Sequence, residues 1–283
     1  MSRIDNIAIA QENKGILKSG AYQLGTKHIP LKLTKKEFTE VEVFSPERIE
    51  KIVEIYKVMK ARDKEPVSVS VRNCDSFTAA KSLYDSDKRN ALVMNFANAI
   101  KPGGGYLSGS NAQEECLCRQ STLYASISSK KAEEMYSFND KKRLPFDSDY
   151  MLLSKFVEVF RDLEGYFLED SFTTSVMTIP APNLFGRAED ASEEEIDKIM
   201  KHRIRNYFTV AIEFGYRHLV LGAWGCGAFG HNAKHVATYF REVLFEEGYA
   251  DFFSSIVFAV LDTTFTRYNY HSFLETFSTE YAF

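Results

Sequence analysis

The chain has 283 residues, 45% hydrophobic and 14% aromatic, which is enough apolar content for a large core and within reach of one long α/β domain. Its 35 basic and 39 acidic side chains leave a net charge of −4, which excludes the basic make-up of a protein that tracks nucleic-acid phosphates, so no direct DNA binding is expected. An anionic ligand must then be held locally, by backbone amides and a few placed side chains. The opening residues MSRIDNIAIAQENKGIL hold no long apolar core, so no leader peptide is expected. No stretch reaches the about 18 apolar residues of a membrane span, so no membrane partner is expected either.

In chain order, residues 1–65 read as mainly helical. Ser45-Pro46 is a helix start, and Ile49, Ile52, Val53, Tyr56 and Met59 follow at helical spacing. Val67, Val69 and Val71 alternate with polar residues as in a strand. Asn73-Cys74-Asp75-Ser76 turns and caps a short helix containing Ala79, Ala80 and Leu83. Ala91 to Phe96 is a compact apolar run, the pattern of a buried strand. Residues 125–150 are polar, irregular and lysine-rich, and read as a surface excursion. Val176 to Ile179 is another buried strand, stopped by Pro180 and Pro182.

Ser192-x-x-Glu195 is a capping box opening a long helix, with Ile196, Ile199, Met200, Tyr207, Phe208 and Ala211 on one stripe and Gly215 as its stop. His218 to Gly222 is a strand, a helix runs from about Ala233 to Glu247 with Gly248 after it, and Ile256 to Leu261 is a last central strand before a C-terminal helix. Apolar strands alternating with amphipathic helices imply an α/β fold, a three-layer sandwich with a mixed or parallel central sheet. The reading is one domain over 1–283, with 1–65 as a helical extension and 66–283 as the α/β core.

Two glycine-rich segments follow strands. The first is Asn95-Phe96-Ala97-Asn98-Ala99-Ile100-Lys101-Pro102-Gly103-Gly104-Gly105, where consecutive glycines let the backbone approach a ligand. The second is Gly225-Cys226-Gly227-Ala228-Phe229-Gly230, running into a helix N-terminus, where free N–H groups and the helix dipole favour a phosphate. Neither is a Walker loop or a dinucleotide fingerprint. Together they predict a diphosphate ligand. Gln113-Glu114-Glu115 lies close after the first loop and admits two readings. It is either an exposed first helical turn, its acids complementing the dipole, or a carboxylate pair beside an anion, where like charge raises both pKa values and suits one to general-acid work. His231 and His235 have a metal-sharing spacing but no evident third ligand, and Cys74, Cys116, Cys118 and Cys226 do not form paired Cys-x-x-Cys motifs, so no metal is expected. The cysteines read as buried free thiols in a reducing compartment, hence a cytoplasmic protein. Trp224 reads as a packing residue.

Gly103 to Gly105, seven residues, then Gln113-Glu114-Glu115 resembles the signature of poly(ADP-ribose) glycohydrolases of the compact microbial type, whose core is a macrodomain. Asn95 to Asn98 and Gly222 to Gly230 are similar to that family too, and the likeness covers nearly the whole chain. The resemblance implies a macrodomain-like three-layer α/β/α sandwich and exo-type hydrolysis of ribose–ribose bonds in poly(ADP-ribose), releasing ADP-ribose without a cofactor. It implies that Glu115 protonates the departing ribose oxygen, that Glu114 holds the terminal ribose hydroxyls, and that Asn98 positions that sugar. Gly103, Gly104, Gly105 and the loop Gly225, Cys226, Gly227, Ala228, Phe229, Gly230 would embrace the diphosphate, Phe229 would press on the ribose, and Asp75 would touch adenine. ADP-ribosylated proteins are the expected carriers of the substrate. The rival readings are a mono-ADP-ribosyl-protein hydrolase, a macrodomain that binds ADP-ribose without cutting it, and an unrelated nucleotide-sugar binder.

Overall fold

The computed structural model describes residues 2–56, 66–87 and 90–278; the helical position Met59 lies outside them. The elements are α1 (Arg3–Ser19), β1 (Ala21–Leu24), β2 (Lys27–Pro30), α2 (Lys35–Phe38), β3 (Glu42–Phe44), α3 (Pro46–Tyr56), β4 (Ser68–Arg72), α4 (Ser76–Asp87) and β5 (Leu92–Ala97). After the first glycine loop come α5 (Gln113–Gln120), α6 (Leu123–Ile127), α7 (Glu133–Lys142), β6 (Met151–Arg161) and β7 (Phe167–Pro180). The chain continues through α8 (Glu193–Glu213), β8 (His218–Leu221), α9 (Ala233–Arg241), β9 (Ser255–Ala259) and α10 (Tyr268–Ser278). The seven-stranded sheet has the order β3-β6-β7-β5-β8-β9-β4, with β6–β7 antiparallel and β5–β8, β8–β9 and β9–β4 parallel. The fold is therefore mixed α/β, as expected. Among the described residues no helix is long and apolar enough to cross a membrane.

The chain forms two compact units, residues 1–43, 95–142 and 150–180 in one and 44–94, 143–149 and 181–283 in the other. In the first unit, β6 and β7 make a long hairpin in which Leu152 faces Thr178 and Leu153 faces Met177, all buried. Asp162 closes its turn by accepting the Tyr166 N–H at 2.8 Å. Ser2 and Asp5 form a capping box that starts α1. That helix carries two buried asparagines. Asn6 Nδ2 donates to Gly109 O at 3.1 Å, and Asn13 Nδ2 to Arg119 O at 2.7 Å, so α1 is pinned to the backbone on either side of the glutamate pair. Buried amides require such partners, which makes α1 a brace for the site.

In the second unit the parallel run is in register at Leu92–Leu219, Leu219–Ile256 and Val69–Ile256. β5 and β9 are buried on both faces, which explains their continuous apolar sequence. The Ser192–Glu195 capping box starts α8 where the sequence placed it, and the stripe residues Ile196, Met200, Tyr207, Phe208 and Ala211 are buried. Phe208 packs on Phe253 at 5.5 Å, and Phe240 on Phe258 at 5.5 Å.

Two readings differ from what is found. The segment before residue 65 holds the β1–β2 hairpin and β3 as well as helices, because strands of three or four residues leave too short a pattern to stand out. Residues 125–150 are not irregular throughout. They include the end of α6 and the whole of α7, because Ala132, Met135, Tyr136 and Asn139 recur at helical spacing among the lysines and are all buried.

Candidate active site

The Gln113-Glu114-Glu115 run forms the first turn of α5, and its two acids are buried: Glu114 is 3% exposed and Glu115 7%. That rules out the exposed first helical turn as an account of these two acids. The hydrogen bonds explain how they are kept there. Glu114 Oε2 accepts the Asn98 N–H at 2.8 Å, and Glu114 Oε1 accepts from Asn95 Nδ2 at 3.3 Å. Glu115 Oε1 accepts the Gly105 N–H at 2.8 Å. Gln113 Oε1 accepts the Phe96 N–H at 2.9 Å, tying the helix start to the end of β5. Burial pushes the Glu114 carboxyl up from 4.5 to about 8, against the lowering effects of the Asn98 N–H, the Asn95 side chain and the Gly103 backbone; the Glu115 charge raises it further.

The first glycine loop is thus a cradle for carboxylates. Gly104 N–H closes a turn onto Lys101 O at 2.9 Å, and Gly104 has a left-handed backbone with φ of 53°. A Cβ there would lie 2.6 Å from Glu115 Oε1, so only glycine lets the loop lie this close. Asn98 Oδ1 accepts the N–H groups of Ile100 and Lys101 at 3.0 and 2.9 Å, which shapes the approach to the loop. Its Nδ2 group meets no acceptor among the described residues.

The second loop, in its own unit, follows β8 and precedes α9, whose cap Asn232 accepts the N–H groups of Lys234 and His235. Gly230 N–H bonds to Gly227 O at 3.2 Å, and His231 N–H to Gly225 O at 3.1 Å. Among the described residues, the N–H groups of Gly227, Ala228 and Phe229 have no acceptor, and Gly227 and Ala228 are exposed. Three successive open amides before a helix make an anion-binding surface. Cys226 N–H, by contrast, closes a turn onto Ala223 O at 3.1 Å. The Phe229 carbonyl accepts the Leu184 N–H at 3.0 Å, which supports the loop from the 183–186 turn.

Comparison with known proteins bears on the whole arrangement. Residues 10–162, more than half of the chain, match the family model described as microbial-type PARG, catalytic domain. The poly(ADP-ribose) glycohydrolase from Thermomonospora curvata superposes with a TM-score of 0.91 at 34% identity, over 96% of this chain and 99% of that one. The same enzyme bound to the inhibitor ADP-HPD gives 0.88 at 33%, again over 96% and 99%. The chain belongs to the microbial-type poly(ADP-ribose) glycohydrolase family. The glycohydrolase from Deinococcus radiodurans in complex with ADP-ribose is similar at 32% identity and a TM-score of 0.79, over 89% of this chain and 99% of that one. No curated protein matches the chain.

Against this glycohydrolase frame, the expected residues fall into groups. Glu114, Glu115, Gln113, Asn98 and Gly103 to Gly105 come together in one unit, while Gly225 to Gly230 form a continuous loop in the other. Asp75 belongs to the second unit and caps α4. Its Oδ1 accepts the Phe77 and Thr78 N–H groups at 3.0 and 3.2 Å, and its other oxygen accepts the Thr78 hydroxyl. Trp224 is fully buried and packs, as read. His231 is buried, its Nε2–H donating to Pro182 O at 2.7 Å, and burial lowers its pKa; His235 is exposed, so the two do not share an environment. The residue the sequence reading gave no role is Asn95. It is fully buried and bridges Glu114 to Thr178 Oγ1, at 3.1 Å from the latter. A polar residue inside an otherwise apolar strand was its signal.

Proposed function

We propose that this chain hydrolyses the ribose–ribose O-glycosidic bonds of poly(ADP-ribose) from the chain end, releasing ADP-ribose, with Glu115 as the general acid. The observation that carries the reading is the unequal use of the two buried glutamates. Both Glu114 oxygens take hydrogen bonds from Asn95 and Asn98. Glu115 takes one, on Oε1 from Gly105, and its Oε2 has no donor among the described residues. The acid with the free oxygen is the one able to pass a proton to a leaving group.

In this scheme protonated Glu115 gives its proton to the departing ribose oxygen as the bond to the anomeric carbon breaks. Positive oxocarbenium character develops on the remaining ribose, and the substrate's own diphosphate stabilises it. Water adds to that carbon, and the Glu115 carboxylate takes up the proton. Glu114, neutral near pH 7 with a pKa of about 8, holds the ribose hydroxyls without adding repulsion beside a dianion. Asn98 offers its Nδ2 group to the same sugar. The open amides of Gly227, Ala228 and Phe229 serve phosphate oxygens, and Phe229 bears on the ribose. No step requires a metal or organic cofactor. ADP-ribosylated proteins are the carriers of such chains, and four cysteines held as thiols suit a reducing compartment such as the cytoplasm.

The test is release of ADP-ribose from purified polymer by the wild type and by Glu115→Gln. The variant should lose about 10²-fold or more in kcat, while its Kd for ADP-ribose stays within about threefold. Undiminished turnover by Glu115→Gln would remove the acid assignment, and absence of polymer cleavage by the wild type would remove the activity.

A further inference from the structure

The lysines around α7 have no part in the chemistry above, and their placement points to the rest of the polymer. Each ADP-ribose unit carries a diphosphate, so a substrate chain is a polyanion approaching a protein of net charge −4. Some local cationic surface must offset that repulsion. The structure offers one in the first unit. Asn139 Nδ2 donates to Ala99 O at 3.0 Å and is buried. That bond fastens the last turn of α7, which carries Lys141 and Lys142, to the backbone two residues before Lys101. Lys101 is in turn two residues before Gly103, and its own N–H is fixed by Asn98 Oδ1. All three lysines are exposed, and none has a carboxylate partner among the described residues. Lys142 Nζ lies 5.9 Å from the Phe138 ring centroid, which gives it a preferred direction. Asp140 is the acidic residue within this cluster.

A basic last turn complements a helix dipole, and that alone explains lysines at the end of α7. It does not explain Lys101, which comes from a different segment and stands at the rim of the loop that cradles Glu115. We propose that Lys101, Lys141 and Lys142 hold the phosphates of the polymer unit adjoining the one being cleaved, so that the enzyme grips a chain and not only its terminal residue. This rests on the proposed polymer hydrolysis. Lys130 and Lys131 supply an internal control: they are equally exposed but sit before α7, at the other end of a ten-residue helix, about 15 Å away by helical rise.

The experiment compares wild type, Lys101→Ala/Lys141→Ala/Lys142→Ala and Lys130→Ala/Lys131→Ala on long poly(ADP-ribose), across a range of salt concentrations, with calorimetry on ADP-ribose. The triple variant should show a KM for polymer raised about five- to tenfold at low salt, with kcat and the Kd for ADP-ribose unchanged. Its log–log salt slope should become shallower by about 2, as expected for three lost phosphate contacts on a single strand. The control pair should stay within about twofold of wild type. An unchanged KM and slope in the triple variant overturns the proposal. An equal change in the control pair overturns it too, since a diffuse field would then suffice. Single-stranded DNA that competes as well as polymer would mark a general polyanion surface, with the same consequence. Should the wild type cleave no polymer, filter retention of polymer on Glu115→Gln with and without the lysine changes still reads the grip separately from the activity.

Discussion

The two glycine-rich loops both follow the carboxyl end of a strand, yet they use their amides in opposite ways. The first turns inward. Its Gly104 N–H closes a turn, its Gly105 N–H holds Glu115, and its Gly103 backbone acts on Glu114. The second leaves the amides of Gly227, Ala228 and Phe229 open. Glycine has a different task in each. In the first loop it makes room for a buried acid; in the second it leaves the peptide edges uncovered for a phosphate. A strand followed by glycines therefore says that close approach is needed, and not what approaches.

Substitutions can break or sharpen that contrast. The largest effect is expected from Gly104→Ala. The added Cβ would meet Glu115 Oε1 at 2.6 Å, and the φ of 53° disfavours any side chain by about 1–2 kcal/mol. The carboxylate must move, and a misplacement of this size costs about 10²-fold in kcat. Crystallography or NMR of the variant should find the fold kept and Glu115 displaced. Turnover within about threefold of wild type would show that the cradle does not matter.

Glu114→Gln tests the cradle's electrostatics. The Glu114 pKa is about 8 in the fold and ordinarily 4.5, so its neutral form contributes stability fully present below about 4.5 and lost as pH rises through 8. Thermal unfolding should therefore show the wild type losing Tm relative to Glu114→Gln steadily between those two values. Parallel curves across that window would refute the raised pKa.

For the second loop, Gly230→Ala places a Cβ 2.7 Å from the Phe185 ring at a φ of 80°. Phe185 is 75% exposed and can swing away, so the expected result is a loss of about 1–2 kcal/mol of stability and a rise of about three- to tenfold in the Kd for ADP-ribose, with kcat nearly intact. The smallest effect belongs to Gly227→Ala, where nothing lies within 4 Å and φ is not positive. Stability should change by less than about 0.5 kcal/mol, read by denaturant unfolding. A fall in kcat as large as that for Gly104→Ala in either variant would erase the distinction between the loops.

Much of this protein was legible along the chain because its signals are local. The Ser192–Glu195 capping box, the stripe of α8, the apolar runs of β5 and β9 and the glycine clusters after strands depend on residues within a few positions of one another. The β6 strand and its hairpin with β7 were not read from patterning, although Asp162 and Gly165 marked the turn, because a strand buried at most positions lacks clean alternation. The helix α7 was hidden by the lysines on its exposed side.

By itself the sequence determined that two close-approach loops and a paired-acid motif exist, and its motif spacing pointed to the family. The tertiary structure decided what those parts do. Whether Glu114 and Glu115 are exposed or buried, which of them keeps an oxygen free, and where the loop amides point all depend on hydrogen bonds between residues 10, 16 and 19 positions apart. Those contacts form only when β5, the first loop and α5 are packed together. Burial then turns an ordinary helix-start glutamate into a carboxyl with a pKa of about 8, a property no local pattern encodes.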